Sequence, residues 1–78
     1  MIKQKFILYG RFECHLCQDM QNDLLPLQKE LDFELTLIDV DEKPEWVARY
    51  GSRVPVLVGD KGEVCHYFLD KQALLQYF

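Results

Sequence analysis

The sequence predicts an α/β domain: a four-stranded mixed sheet with helices on both faces. Three observations predict it. Short apolar runs alternate with segments of helical period. The first strand–helix–strand unit forces a parallel strand pair with a right-handed crossover. Two later apolar runs flank Gly59-Asp60-Lys61-Gly62, a hairpin-type turn that forces an antiparallel pair. The resulting order is β-α-β-α-β-β-α. With no repeat, low-complexity tract or linker, residues 1–78 read as one domain.

Residues 3–9, rich in Phe, Ile, Leu and Tyr, predict a buried strand that stops at Gly10. From Leu16 onward the apolar positions are Cys17, Met20, Leu24, Leu27 and Leu31, at helical spacing. Pro26 removes a backbone donor and crowds the preceding turn, so a kink or a break near Leu25 is expected. Phe33 to Val40 alternates apolar and polar residues and predicts a second strand. Asp41 is then expected to cap a short helix with Pro44 in its first turn, Trp46, Val47 and Tyr50 on its apolar face, and Gly51 at its end. Val54 to Val58 predicts a third strand and Val64 to Phe68 a fourth. Asp70 is placed to cap a last helix that buries Ala73, Leu74, Tyr77 and Phe78.

Composition narrows the function. Hydrophobic residues make up 49% of the chain and charged residues 28%, which fits a globular protein and not a disordered one. The net charge of −4, with no Lys/Arg block, argues against nucleic acid and anionic membrane as partners. No apolar run approaches the roughly 20 residues of a membrane span. The start, Met1-Ile2-Lys3-Gln4-Lys5, has no apolar core or cleavage site behind it, so no signal peptide is expected. Three cysteines without an export signal point to a cytoplasmic chain whose thiols have chemistry to perform. The chain is expected to act as a monomer.

That chemistry is expected at Cys14-His15-Leu16-Cys17, between the first strand and the first helix. A Cys-x-x-Cys beside a βαβ pattern reads as a thioredoxin-like redox motif. Free amides and the macrodipole at a helix N-terminus stabilise an anion, which favours the Cys14 thiolate. Cys17 lies one turn along the same face, within disulfide reach. Cys14 is thus the expected exposed attacking thiol, and Cys17 the sheltered resolving one. Arg11 and a protonated His15 would favour the thiolate, and Glu13 would oppose it. In Arg53-Val54-Pro55, the proline is a candidate cis residue that leaves the Val54 main chain free to pair with an extended substrate.

Tyr9-Gly10-Arg11-Phe12-Glu13-Cys14-His15-Leu16-Cys17 resembles the glutaredoxin active-site segment, and Arg49-Tyr50-Gly51-Ser52-Arg53-Val54-Pro55 resembles the stretch leading to its Thr-Val-Pro. Nearly the whole chain is similar to a glutaredoxin-like family of small bacterial proteins that share Cys-His-Leu-Cys, a Leu-Pro-Leu break, Gly-x-Arg-Val-Pro-Val and an Asp before the last helix. The resemblance implies a minimal thioredoxin fold, Cys14 as nucleophile, Cys17 as resolving thiol and Pro55 in cis. The chain departs from glutaredoxins in three places. His15 stands for the motif proline, Arg53 for the Thr, and Phe68-Leu69-Asp70 for the Gly-Gly region. Asp70 matches the helix-start acid that takes a glutathione amino group, and Arg11 and Arg53 could grip carboxylates.

The expected function is dithiol exchange: reduction of a protein or low-molecular-weight disulfide by the Cys14–Cys17 pair. No flavin or nicotinamide fingerprint is present, so no bound cofactor is expected. Reducing equivalents would come from glutathione or a thioredoxin-type reductase. Two alternatives are an iron–sulfur or zinc carrier using Cys14 and a non-catalytic interaction module. A zinc site adding Cys65 and His66 is disfavoured, because neighbours on a strand point to opposite faces. Cys65 reads as core and His66 as a solvated or locally bonded strand residue. Tyr9, Trp46 and Tyr50 read as packing residues.

Overall fold

A computed structural model describes residues 3–78. The first two residues, part of the segment read as lacking a signal peptide, lie outside the described residues. The elements are β1 (Lys5–Gly10), α1 (His15–Leu31), β2 (Glu34–Asp39), a 3-10 turn (Val40–Glu42), α2 (Pro44–Tyr50), β3 (Val56–Gly59), β4 (Gly62–His66) and α3 (Lys71–Leu75). The sheet order is β2-β1-β3-β4. β1 and β2 are parallel, and the β1–β3 and β3–β4 pairs are antiparallel. This is the predicted α/β architecture, reached by the predicted order of elements.

Alternation along the strands sorts the core into two layers. Phe6 and Leu8 of β1, Leu57 of β3 and Cys65 of β4 face one way and meet Met20, Leu24 and Leu27 of α1 and Leu74 of α3. Tyr9 and Val56 face the other way and pack with Val40 and Tyr50, supported by Ile7, Ile38, Trp46 and Val58. Helices therefore cover both faces: α1 and α3 on one, α2 on the other. Tyr9 stacks on Tyr50 with ring centroids 4.1 Å apart, so both are packing residues.

Several boundaries differ from the sequence expectation. The helix runs through Pro26 without the expected break. Pro26 lies on its exposed face together with Asn22, whose carbonyl would have paired with the missing N–H and can turn to water instead. Asp41 does not cap α2. The Asp39 carboxylate accepts the Asp41 N–H at 2.9 Å and caps the 3-10 turn, while α2 begins at Pro44 with no side-chain cap. Val47, expected on the buried face of α2, is 38% exposed. β3 begins at Val56 and not Val54, since Pro55 has no N–H to give to the ladder. β4 begins at Gly62 and ends at His66, where Tyr67 takes a left-handed φ of 64° and turns the chain away. Asp70 caps α3 as predicted, accepting the Ala73 N–H at 3.1 Å. Gly59 lies against Tyr77: a Cβ there would come within 2.9 Å of the ring. Among the described residues, no helix is long and apolar enough to cross a membrane.

Candidate active site

Three chain segments meet at one end of the sheet. β1 and β4 end there and β3 begins there, because β3 runs antiparallel to both. The loop after β1 delivers Cys14 and the start of α1. Continuing the Tyr9↔Val56 register by one step sets Pro55 opposite Gly10. The Val54–Pro55 peptide bond is cis.

Cys14 is the N-cap residue of α1, and its Sγ accepts the Cys17 N–H at 3.1 Å. The Cα atoms of Cys14 and Cys17 are 5.1 Å apart and the two sulfurs are joined as a disulfide. Cys14 is half-buried, while Cys17 is 7% exposed under the apolar stripe of α1. The pair is thus asymmetric: Cys14 is part-exposed and its sulfur holds a helix-end amide, while Cys17 is sheltered. Gly10 makes room for it. A Cβ at Gly10 would sit 3.1 Å from Cys17 Sγ. The sequence marked Gly10 as a strand end and as part of the glutaredoxin-like segment, but not as the residue whose missing side chain makes room for Cys17.

The polar residues named from sequence have specific partners. Arg11 donates from Nε to Asp41 at 3.2 Å and from a terminal nitrogen to the Gly51 carbonyl at 3.1 Å, tying the dithiol loop to the end of α2. His15 is exposed and lies 3.5 Å from Asp19, one helical turn on. Arg53 pairs with Glu63 and donates to the Arg49 carbonyl at 3.0 Å. The other Glu63 oxygen is 2.8 Å from His66 Nδ1. Val54 has no main-chain hydrogen bond among the described residues, whereas the Pro55 carbonyl accepts the Tyr67 N–H at 2.9 Å. Tyr67 also donates its hydroxyl to the Ser52 carbonyl at 3.0 Å. The structure therefore brings Cys14, Cys17, Val54 and Pro55 to one end of the sheet. It engages Arg11, Arg53 and Asp70 in contacts of their own. Phe12, 89% exposed two residues before Cys14, was not singled out from sequence.

Burial alone would raise the Glu63 carboxyl. Hydrogen bonds and charge from His66 and Arg53 outweigh it and hold the group below the ordinary glutamate range. A carboxyl depressed in the folded state adds stability above its unfolded pKa, and that stability is lost as pH falls through the folded value. Wild-type protein is expected to lose more stability than Glu63→Gln between neutral and acid pH in parallel urea titrations. Equal losses would mean that the ion pairs do not persist in solution. Cys65 is 9% exposed, and burial pushes its thiol up, which keeps it protonated and unreactive. It and the exposed His66 fall on opposite sides of β4. Among the described residues, no three His, Cys, Asp or Glu side chains are grouped to hold a metal.

A β-α-β-α-β-β-α sheet with two cysteines joined at the start of its first helix defines a thioredoxin-fold domain. A family model, "Glutaredoxin-like domain (DUF836)", matches residues 5–78. The chain belongs to this glutaredoxin-like family. It is similar to protein Ne2328 from Nitrosomonas europaea: 40% identity, TM-score 0.89, covering 100% of this chain and 94% of that one. A structural genomics target protein from X. campestris is 28% identical, with TM-score 0.69 and 92% of each chain covered. The oxidized form of mitochondrial thioredoxin 3 from Saccharomyces cerevisiae is 23% identical, with TM-score 0.71, over 96% of this chain and 76% of that one, a likeness of fold. Comparison with curated proteins gives no match.

Proposed function

We propose that this chain is a thiol–disulfide oxidoreductase that reduces disulfides through Cys14 and Cys17. The observation that carries the reading is the half-buried residue Cys14 at the N-cap of α1, its Sγ accepting the Cys17 N–H. The Cys14 thiolate attacks one sulfur of a substrate disulfide. A Cys14–substrate disulfide forms, and the other substrate sulfur leaves as a thiolate and takes a proton from water. Cys17 then gives up its proton to solvent and attacks Cys14 Sγ, releasing the second substrate thiol. Two electrons pass to the substrate and the Cys14–Cys17 disulfide remains. The unpaired Val54 main chain supplies a hydrogen-bonding edge for an extended substrate. Reduction back to the dithiol comes from glutathione or a thioredoxin-type reductase, acting on a protein of the cytoplasm.

An NADPH-coupled assay tests this, run once with glutathione and its reductase and once with thioredoxin reductase. Turnover is expected with at least one system and is expected to vanish in Cys14→Ser. Absence of turnover with both, or full activity in Cys14→Ser, would overturn the reading.

A further inference from the structure

One feature near the dithiol takes no part in the exchange steps. A groove of about 440 Å³ opens between the start of α1 and the end of β2, on the side of β1 away from Pro55. Gly10, Phe12, Cys17, Leu37, Asp39 and Glu42 line it. Its exposed apolar surface comes from Leu37, 52% exposed on the edge strand β2, and Phe12, 89% exposed. Its rim is acidic. Asp39, which accepts the Asp41 N–H, and Glu42 have no ion-pair partner among the described residues, and Arg11, which also lines the groove, is paired with Asp41. Arg53, the other arginine near the dithiol end of the sheet, is paired with Glu63.

The geometry points to a substrate class: disulfides in polypeptides that carry an apolar residue and a basic residue beside the cysteine, seated in this groove. The inference rests on the exchange reading above and goes beyond it by naming the partner. Three facts support that occupant. Cys17, whose sulfur bonds Cys14, is a lining residue, so a chain joined to Cys14 is held beside the groove. An apolar side chain gains by covering Leu37 and Phe12. A Lys or Arg meets the Asp39 and Glu42 carboxylates, since the one cation of the lining, Arg11, is held by Asp41, and the same two carboxylates disfavour an anionic flank in this groove. Val54 lies on the opposite side of β1. The two features are separated by about two strand spacings, roughly 10 Å, or about three residues of extended chain.

The test uses the reduced full chain and single-cysteine peptides capped as mixed disulfides with mercaptoethanol. The flanks are Leu-Lys, Leu-Glu or Ser-Ser, and bis(2-hydroxyethyl) disulfide is the neutral reference. Each single turnover converts the peptide disulfide to two thiols and the protein dithiol to its disulfide. The Leu-Lys peptide is expected to react about tenfold faster than Leu-Glu at low salt, with the gap shrinking as salt is raised. Glu42→Gln is expected to narrow that gap, and Leu37→Thr to reduce the advantage of Leu-Lys over Ser-Ser. Equal rates for the three peptides, with the neutral disulfide still reduced, would overturn the groove assignment and leave the exchange reading intact. Failure to reduce the neutral disulfide would overturn both.

Discussion

Leu57→Ala is expected to cost about 2–5 kcal/mol of folding stability. Leu57 is fully buried at the centre of the sheet, opposite Leu8 of β1 and Cys65 of β4, beneath α1 and α3. Truncation loses the transfer free energy of the side chain and leaves a cavity that three neighbouring elements cannot readily fill. A chain of 78 residues has roughly 4–12 kcal/mol to lose in all. A drop of about 4–8 °C in Tm per kcal/mol then places the variant at least about 8 °C below wild type. Leu25→Ala is the matched control. Leu25 is 47% exposed on the outer face of α1, and its loss should stay within about 0.5 kcal/mol. Thermal melts of both variants check this. A Leu57→Ala melt within a degree or two of wild type would mean that the sheet does not pack as described.

Much of this core was legible beforehand because it rests on period. Phe6 and Leu8 against Ile7 and Tyr9 alternate along β1, and Cys17, Met20, Leu24 and Leu27 recur at helical spacing. Those patterns depend on neighbours in sequence and survive without tertiary knowledge. The break near Leu25 does not occur, because a sequence shows the missing donor at Pro26 and not the solvent beside the orphaned Asn22 carbonyl. The Asp41 cap was misplaced by a similar gap: Asp39 reaches the same turn first, two residues earlier. In the site, the dithiol at a helix start was legible from local order. The partners of Arg11 and Arg53 were not. Asp41 and Gly51 lie 30 and 40 residues from Arg11 in sequence, and only the crossover brings them together. The groove beside Cys17 was invisible for the same reason, since its walls come from the ends of β1 and β2.

The second large effect concerns the cysteines in the reduced protein. Cys14 is expected to alkylate far faster than Cys17 or Cys65 in the native state. A thiolate at Cys14 accepts the Cys17 N–H as a charge-assisted hydrogen bond and sits at the positive end of α1. Cys17 is sheltered by the helix and Cys65 by the core, where burial holds its thiol protonated. Cys17→Ser should therefore stop the exchange after its first step and accumulate a one-to-one disulfide between Cys14 and substrate. Cys14→Ser should form no such adduct, because the remaining thiols are buried.

The most direct measurement is the alkylation rate of each cysteine against pH, with iodoacetamide on the reduced native protein and each site read by mass spectrometry. The account predicts that Cys14 is labelled first and that its rate levels off at a lower pH than that of a free cysteine. It also predicts that Cys17 and Cys65 stay unlabelled until the protein is unfolded. Labelling of Cys17 ahead of Cys14, or a Cys14 profile matching that of a free cysteine, would contradict it.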